Sequence, residues 1–346
     1  MAKILIMAGG TGGHIFPALP VAEILRRNGH EIFWMGTRNG LETKLLPEAA
    51  LYTVDFTGVR KKGLKMLFTT PMALLRAIVQ ASKVFKSIQP NVVLGMGGYT
   101  ALPGGITAFL RGIPLIIHEQ NSIAGLSNRV LARLAKKILL GYPNTLKGGI
   151  WVGNPVRTTI VPNEERGHRQ GPLRILVLGG SQGARALNET IPRALSKMQA
   201  HVFIRHQCGH AHVEKTKALY KNLQLDVEVV PFLEHIEDAY AWCDLAICRA
   251  GAMTLAELAQ AGVPAILVPY PFAVDDHQTK NALFYARSGG ALLIAEKDLT
   301  PESLTTTLTQ LDRAKLKAMS KMMRQQAKTD AATTMATMIM EIAHAA

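Results

Sequence analysis

Two glycine-rich segments constrain the fold of this 346-residue chain more than any other feature. AGGTGGH at residues 8–14 follows the apolar run at residues 4–7, and GGSQGA at residues 179–184 follows the run at residues 174–178. Each segment precedes a stretch with helical apolar spacing. A glycine-rich turn between a strand and a helix lets the backbone approach an anion, which the first helical amides stabilise. The order strand, turn, helix therefore predicts a phosphate-binding unit in each half of the chain.

Short apolar strands recur in both halves. They lie at residues 31–35, 92–94 and 114–118 in the first half, and at residues 244–248 and 264–268 in the second. Strands that are apolar on both faces and alternate with helices are typical of buried parallel sheets. A chain of 346 residues also exceeds the size at which one core keeps growing. We therefore predict an α/β fold with two doubly wound, Rossmann-like domains.

Two further stretches mark the ends of these domains. The segment at residues 153–172 contains three prolines and little apolar periodicity, which predicts the connection between the domains. Residues 315–346 show helical apolar spacing and predict one or two terminal helices. We expect the methionines of that stretch to fill gaps in a core.

Positive charge is concentrated in the first half of the chain. The formal net charge is +14, and residues 1–150 carry 18 Lys and Arg against 6 Asp and Glu. Such a surface attracts polyanions, namely nucleic acid, an anionic membrane or a phosphorylated substrate. A basic surface that only promotes solubility is the alternative.

Cysteine content and the N-terminus favour the cytoplasm. The three cysteines form no CxxC pair, and an odd number argues against a disulfide framework. The first apolar run is too short for the core of a signal peptide. The long uncharged run at residues 87–110 contains Pro90, Pro103 and five glycines, a pattern typical of strand, loop and helix. No transmembrane helix is predicted.

The glycine turns do not match the common nucleotide-binding signatures. A dinucleotide fingerprint requires G-x-G-x-x-G, and the third position after Gly10 and Gly12 is Ile15. A P-loop requires Gly-Lys followed by Ser or Thr, and no glycine turn here ends that way. Binding of NAD and P-loop hydrolysis of ATP or GTP are therefore disfavoured.

His14 closes the first turn and is the candidate general base. At the start of a helix the dipole opposes protonation and favours a neutral imidazole that can accept a proton. The alternative is a histidine that satisfies local backbone groups.

Three other polar residues follow predicted strands or the connection. Glu257 could accept two sugar or ribose hydroxyls, or it could form a capping box with Thr254. Arg157, after Gly-Asn-Pro, could hold a diphosphate with two donors or form an interdomain salt bridge. Gln278 is a better candidate for a substrate contact than its acidic neighbours are for a metal, since adjacent loop residues rarely converge on one ion.

Histidine and cysteine alternate with other residues in one segment. If it were a strand, one face would carry His206, Cys208, His210 and His212. Tetrahedral sites usually draw their ligands from separated turns, and an alternating strand spreads its side chains too far apart. We therefore predict no metal site.

A basic, apolar segment follows the second predicted strand. Arg60, Lys61, Lys62 and Lys65 precede residues 66–88, whose apolar residues keep near-helical spacing. Such a segment can lie on an anionic membrane. An amphipathic helix packed on its own sheet is the alternative.

The ordered motifs AGGTGGH, GMGGY, HEQN, GNPVR, GGSQGA, CRAGAMTLAE and DDHQTKNA resemble those of one family. It comprises the bacterial glycosyltransferases that form lipid II, the UDP-N-acetylglucosamine–N-acetylmuramyl-(pentapeptide) pyrophosphoryl-undecaprenol N-acetylglucosamine transferases. The resemblance extends from about residue 3 to about residue 340. Met253 and His277 depart from the residues common among relatives, leucine and glutamine respectively.

The resemblance implies a GT-B fold, with two Rossmann-like domains facing each other across a cleft. Residues 1–158 would form the acceptor and membrane-facing domain, with a helix at about 328–346 packing back on it. Residues 159–327 would form the domain that binds UDP-N-acetylglucosamine. His14 would be the base, and Leu233 would contact the donor through its backbone near the uracil. The implied donor contacts are Thr11, Gly12, Gly13, Asn121, Arg157, Ser181, Leu233, Ala252, Met253, Thr254, Leu255, Ala256, Glu257 and Gln278.

The implied reaction transfers N-acetylglucosamine, with inversion, to the C4 hydroxyl of the muramyl sugar of lipid I. Lipid I is the undecaprenyl-pyrophosphate-linked muramyl-pentapeptide, so the expected location is peripheral, on the cytoplasmic face of the inner membrane. No cofactor, metal or nucleic acid is expected. A glycosyltransferase with another acceptor, a sugar-nucleotide epimerase and a nucleic-acid-binding protein are the alternatives.

Overall fold

A computed structural model describes residues 1–10, 12–38, 40–46, 51–56, 65–180, 182–198 and 201–345, and for residues 44 and 65–69 the backbone alone. The chain divides into two compact units, Met1–Arg157 with Lys328–Ala346, and Thr158–Ala327. Each unit contains one parallel sheet flanked by helices. The prediction of an α/β fold with two Rossmann-like parallel sheets is confirmed.

The first unit is built on a sheet of seven strands in the described residues, in the order β3-β2-β1-β4-β5-β6-β7. The strands are β1 (Lys3–Met7), β2 (Glu31–Gly36), β3 (Leu51–Thr53), β4 (Val92–Gly95), β5 (Leu115–Glu119), β6 (Lys137–Leu140) and β7 (Ile150–Trp151). The helices are α1 (Gly12–Ile15), α2 (Ala18–Arg27), α3 (Glu42–Leu45), α4 (Lys65–Ile88), α5 (Gly98–Leu110), α6 (Leu126–Leu131) and the C-terminal α14 (Ala331–His344).

The central strand β1 is apolar on both faces because helices cover both. Ile4 and Ile6 belong to a core with α2 and α14, in which Met335 and Ile339 are fully buried. Leu5 and Met7 face the opposite core, built with α4 and α5. Residues from the far end of the chain thus complete the first hydrophobic core.

The second unit contains a sheet in the order β10-β9-β8-β11-β12-β13. Its strands are β8 (Leu173–Leu178), β9 (Val202–Gln207), β10 (Asp226–Val230), β11 (Leu245–Cys248), β12 (Ala265–Leu267) and β13 (Ala291–Leu293). Its helices are α7 (Arg185–Leu195), α8 (Val213–Tyr220), α9 (Ile236–Trp242), α10 (Ala252–Ala261), α11 (His277–Arg287), α12 (Pro301–Thr309) and α13 (Arg313–Gln325). Short 3-10 turns lie at Glu164–His168, His210–His212, Val274–Asp276 and Glu296–Asp298.

A buried arginine holds two helices of this unit together from the segment that precedes β8. Arg166 is only 6% exposed, and its guanidinium donates to the carbonyl oxygens of Tyr240 and Cys243 at the end of α9. It also donates to the carbonyl oxygens of Ala261 and Gly262 at the end of α10, both at 2.8 Å. Because helix C-termini carry unsatisfied carbonyls and a partial negative charge, one cation satisfies both ends.

Two arrangements that the sequence left open are not found in the structure. Strand β9 ends at Gln207 and His210–His212 form a 3-10 turn, so the alternating residues do not share one strand face, in keeping with the prediction of no metal site. The helix carrying Glu257 begins at Ala252, with Gly251 as its N-cap and no side-chain cap. Thr254 and Glu257 therefore lie inside the helix and form no capping box. No helix among the described residues is both long and apolar enough to cross a bilayer.

Candidate active site

A buried carboxylate organises the first glycine turn. Glu42 is fully buried, and its side chain accepts hydrogen bonds from the backbone N–H of Gly10 at 3.2 Å and from the Thr37 hydroxyl at 2.9 Å. A Cβ atom on Gly9 would lie 2.9 Å from Glu42 Oε1, so the turn packs closely on this carboxylate. The sequence alone did not reveal this role, because Glu42 is 32 residues distant from its partner.

His14 lies in α1, directly against the second glycine segment of the same unit. A Cβ atom on Gly98 would lie 3.4 Å from His14 Nδ1 and 3.1 Å from the Gly9 carbonyl oxygen. Gly97 and Gly98 have φ angles of +84° and +77°, a region that glycine adopts without strain. The backbone of Gly97 and Gly98, which have no side chains, therefore packs directly against the His14 imidazole.

Burial makes His14 a neutral imidazole at neutral pH. Loss of hydration lowers its pKa from 6.5 to about 4, because the charged imidazolium is disfavoured where water is excluded. The neutral state was expected from the helix dipole, but the principal cause in the structure is burial. A neutral imidazole has one nitrogen that can accept a proton.

The HEQN segment shapes the backbone beside these turns. The Glu119 carboxylate accepts hydrogen bonds from the backbone N–H of Asn121 and of Gly125, both at 3.0 Å, and from Asn128 Nδ2 at 2.9 Å. Asn128 Nδ2 would lie 3.5 Å from a Cβ atom on Gly97, next to His14. Glu119 thus connects the loop that carries Asn121 to the surroundings of the candidate base.

Buried amides join three of the sequence motifs into one network. His118 Nε2 lies 2.9 Å from the Gly153 carbonyl oxygen, and Gln120 Nε2 donates to the Met96 carbonyl oxygen at 2.9 Å. Asn154 Nδ2 donates to the Gln120 carbonyl oxygen at 3.0 Å. HEQN, GMGGY and GNPVR therefore hold one another in place.

Arg157, which ends the first of the two segments of the first unit, lies close to the first turn. Its guanidinium carbon is 5.7 Å from the centre of the Phe16 ring, a cation–π distance. Phe16 in turn packs against Gly12, where a Cβ atom would lie 2.6 Å from Phe16 Cε2. Phe16 thus lies between Arg157 and Gly12, which is followed in α1 by Gly13 and His14, while Thr11 lies outside the described residues.

In the second unit the GGSQGA turn is held by a side chain from the neighbouring strand β9. Gln207 accepts from the Gly180 N–H at 3.1 Å and donates to the Gly180 carbonyl at 2.8 Å. Its amide also donates to the Pro231 carbonyl at 3.1 Å, in the segment that continues to Leu233. The turn and the segment of Leu233 are therefore tied together, while Ser181 lies outside the described residues.

The CRAGAM segment places the six candidate residues 252–257 in the first two turns of α10. The Glu257 carboxylate accepts a hydrogen bond of 2.9 Å from the hydroxyl of Tyr240 on α9. Gln278, at the start of α11, accepts from the backbone N–H of Ala250 at 3.2 Å and of Tyr270 at 3.0 Å. Gln278 therefore joins the loop before α10 to the loop that follows β12.

The histidines of the alternating stretch do not converge on an ion. His206 is fully buried, with its two ring nitrogens 2.9 Å from the Tyr220 hydroxyl and 2.9 Å from Asn188 Oδ1. The described residues contain no group of three or more His, Cys, Asp or Glu side chains that could hold a metal ion.

Two family domains and many relatives match this chain. The glycosyltransferase family 28 N-terminal domain matches residues 4–140, and the glycosyltransferase family 28 C-terminal domain matches residues 174–335. A relative from Ralstonia nicotianae, named UDP-N-acetylglucosamine–N-acetylmuramyl-(pentapeptide) pyrophosphoryl-undecaprenol N-acetylglucosamine transferase, is 48% identical over 99% of this chain and 97% of its own.

Solved structures support the same grouping. The crystal structure of Acinetobacter baumannii MurG is 40% identical, with a TM-score of 0.88 over 99% of this chain and 100% of that chain. The UDP-GlcNAc 2-epimerase from Neisseria meningitidis, bound to UDP-GlcNAc, is 13% identical with a TM-score of 0.69 over 98% and 100% of the chains. That likeness concerns the fold alone.

The two family domains and the near-complete overlap with relatives of this identity leave the classification in no doubt. The chain belongs to glycosyltransferase family 28 and, within it, to the UDP-N-acetylglucosamine–N-acetylmuramyl-(pentapeptide) pyrophosphoryl-undecaprenol N-acetylglucosamine transferases.

Proposed function

We propose that this protein transfers N-acetylglucosamine from UDP-N-acetylglucosamine to the C4 hydroxyl of the muramyl sugar of lipid I, giving lipid II and UDP. The observation that carries the proposal is the 48% identity over 99% of the chain with a relative of that name. A neutral histidine at the end of the first glycine turn, packed against Gly97 and Gly98, supports the proposal because the reaction needs a proton acceptor.

His14 is the proposed base. The acceptor oxygen attacks the anomeric carbon of the donor from the face opposite to UDP, so the new C–O bond forms as the bond to UDP breaks and the configuration inverts. His14 takes the hydroxyl proton as the bond forms. The close packing of Gly97 and Gly98 leaves room for the imidazole while fixing its position, which favours a productive orientation.

The second unit is the proposed donor-binding unit. The amides of the GGSQGA turn, together with Ser181, would bind the diphosphate, and the backbone of Leu233 would lie near the uracil. The Glu257 carboxylate would accept hydroxyls of ribose or sugar, with Ala252, Met253, Thr254, Leu255, Ala256 and Gln278 as further contacts. Thr11, Gly12, Gly13 and Asn121 are assigned to the donor from the first unit, and Arg157 would stabilise negative charge on the departing UDP. No metal or other cofactor is part of the proposal.

The direct test supplies a lipid I analogue and UDP-N-acetylglucosamine in the presence of EDTA, with detection of the disaccharide product by mass. We expect one N-acetylglucosamine added for each UDP released. Absence of product with folded protein would refute the proposed function. Incubation with UDP-N-acetylglucosamine alone should leave the sugar unchanged, whereas conversion to an epimer would favour an epimerase.

The pH dependence of kcat/KM should report the lowered pKa of His14. We expect the acid limb to lie near pH 4, with no loss attributable to His14 between pH 8 and pH 5, because only the neutral ring accepts a proton. An acid limb of kcat/KM near pH 6.5 would contradict a lowered pKa of His14.

Acid unfolding must be separated from this limb. Burial lowers the pKa of His118 to about 4 and of His206 to about 3, so the unfolded chain binds more protons than the folded chain below pH 6.5. The free energy of unfolding should therefore fall as the pH drops from 6.5 towards 4. Circular dichroism at each pH gives the folded fraction for the correction.

An exposed apolar stripe on the first unit supports association with an anionic membrane surface. Met72, Leu75 and Val79 on α4 are 56%, 59% and 57% exposed, and share one helix face. Phe109 and Leu110 at the end of α5 are also exposed, at 54% and 69%. The next residue, Arg111, donates to Ser82 of α4, which brings the two helix surfaces together.

Basic residues accompany this stripe. Arg76, Lys83 and Lys86 of α4 are exposed, and cations beside inserted apolar side chains strengthen binding to anionic lipid. Arg60, Lys61 and Lys62 of the predicted basic segment lie outside the described residues, as do the side chains of residues 65–69. We include peripheral attachment to the cytoplasmic face of the inner membrane in the proposal.

The double variant Leu75→Glu/Val79→Glu should bind phosphatidylglycerol-containing vesicles at least about tenfold more weakly than the wild type. It loses apolar contact and adds charge that the lipid headgroups repel. Vesicle co-sedimentation measures the effect, and Val161→Glu, at a 61% exposed position of the second unit, is the control. Unchanged binding in the double variant, and in a variant with Arg60, Lys61 and Lys62 all replaced by glutamate, would contradict membrane attachment through this surface.

A further inference from the structure

Tyr240 is a fully buried tyrosine to which the proposed reaction gives no role. Its side chain lies on α9 and is 1% exposed, yet its hydroxyl donates to Glu257 Oε2 at 2.9 Å. A buried hydroxyl destabilises the fold unless it forms a hydrogen bond. Here it bonds to Glu257, a residue proposed to bind UDP-N-acetylglucosamine. The contact crosses from one helix to the next, so it is not a by-product of helix geometry.

The backbones of the two helices are joined at the same place. Arg166 donates to the Tyr240 carbonyl at 2.6 Å and to the carbonyl oxygens of Ala261 and Gly262, at the end of the helix that carries Glu257. Tyr240 is therefore held at its backbone while its hydroxyl holds Glu257. This arrangement restricts the rotation of the carboxylate about its side-chain bonds.

The Tyr240 hydroxyl is suited to act as a hydrogen-bond donor to Glu257. Burial, followed by the nearby Glu257 carboxylate, holds the pKa of Tyr240 well above its usual range. The phenol therefore stays protonated at neutral pH and donates to the carboxylate. A carboxylate has about four acceptor positions, and the hydrogen bond from Tyr240 uses one of them.

We propose that Tyr240 is a positioning residue for donor recognition: it orients the Glu257 carboxylate so that the carboxylate accepts a vicinal pair of hydroxyls of the sugar nucleotide. The inference rests on the proposed function. The hydroxyl pair belongs either to the ribose or to the N-acetylglucosamine, and both present the same chemistry to a carboxylate. Without the tyrosine hydroxyl the carboxylate would sample other rotamers and lose part of its alignment.

Tyr240→Phe removes one oxygen and keeps the ring, so binding measured by calorimetry isolates the hydrogen bond. We expect the Kd for UDP-N-acetylglucosamine to rise about five- to tenfold, within the range for loss of one ordinary hydrogen bond, because the carboxylate itself remains and loses only its alignment. In turnover assays KM for the donor should rise by a similar factor, while kcat changes less than twofold. The matched control is Tyr220→Phe, another buried tyrosine of the same unit, which bonds His206 and should leave the Kd unchanged.

Nucleotides that lack hydroxyls separate positioning from general loosening of the unit. If the pair is that of the ribose, Tyr240→Phe should weaken binding of UDP and leave binding of 2′,3′-dideoxy-UDP unchanged. If the pair is that of the sugar, UDP binding should be unchanged and only UDP-N-acetylglucosamine should bind more weakly. Either result supports the proposal. Equal weakening for every nucleotide would overturn it, because the loss would then not depend on the hydroxyls.

A double-mutant cycle tests the route through Glu257 and remains informative if Tyr240→Phe is less stable. In a Glu257→Ala background, Tyr240→Phe should cause no further rise in the Kd. An additive rise would overturn the proposal. If the wild-type protein binds no uridine nucleotide, the donor assignment as a whole is refuted. If the wild type binds UDP-N-acetylglucosamine and Tyr240→Phe binds it with the same Kd, only the role of Tyr240 is refuted.

Discussion

His14→Ala should reduce kcat for lipid II formation by about 10²- to 10⁴-fold, the range supplied by a positioned general base. The half-buried ring lies against Gly97 and Gly98, and its lowered pKa keeps it neutral at neutral pH. Its removal takes away the proton acceptor, and most of the proposed donor contacts belong to the second unit, so the Kd for UDP-N-acetylglucosamine should change little. Single-turnover assays and calorimetry measure the two quantities.

The control for this substitution is His201→Ala. His201 is a half-exposed histidine in the second unit, with Nε2 3.1 Å from Asp226 Oδ2, and its loss should leave kcat unchanged. Undiminished turnover in His14→Ala would remove His14 from the mechanism. A large loss of donor affinity together with kcat would instead indicate that His14 contributes mainly to binding.

Arg166→Ala should lower the free energy of unfolding of the second unit by about 3–5 kcal/mol, because several buried hydrogen bonds from a charged donor, each contributing about 1.5–3 kcal/mol, are lost together and the freed carbonyls recover part of that in other contacts. Four carbonyl oxygens at the ends of α9 and α10 would lose their donor. For a unit of this size, a loss of that magnitude corresponds to a decrease in Tm of about 10 °C. Urea unfolding and calorimetry measure it.

Two other variants define the origin of that loss. Arg166→Lys keeps the charge but lacks the planar arrangement of donors, so it should recover only part of the stability. Arg193→Ala, at an exposed position of α7, should change the free energy of unfolding by less than about 0.5 kcal/mol. A loss in Arg166→Ala no larger than that of Arg193→Ala would show that Arg166 does not hold these helices together.

The fold class follows from local patterns. The strand predicted at residues 4–7 is observed as β1 (Lys3–Met7), because apolar periodicity is a property of neighbouring residues, whereas the last part of the predicted first turn lies in helix α1 (Gly12–Ile15). Local patterns left other points open. The Thr-x-x-Glu pattern allowed a capping box as one of two interpretations of Glu257, but α10 begins at Ala252 with Gly251 as its N-cap, three residues before a helix capped by Thr254 would begin.

The roles of the buried polar residues could not be predicted. Glu42 bonds to Gly10 across 32 residues, Gln207 to Gly180 across 27, and Arg166 to Ala261 across 95. Nothing local distinguishes these side chains from exposed ones of the same type. Their importance depends on which partner the fold brings within hydrogen-bond distance.

The glycine turns illustrate the division between sequence and structure. By itself the sequence determined that each half contains a strand, a glycine-rich turn and a helix, and its motifs identified the family. Only the tertiary structure decided that Glu42 and Gln207 brace the two turns, and that burial makes His14 neutral. The physical reason is that apolar periodicity depends on residues that are neighbours in the sequence. Hydration and hydrogen-bond partners depend on which distant segments pack together.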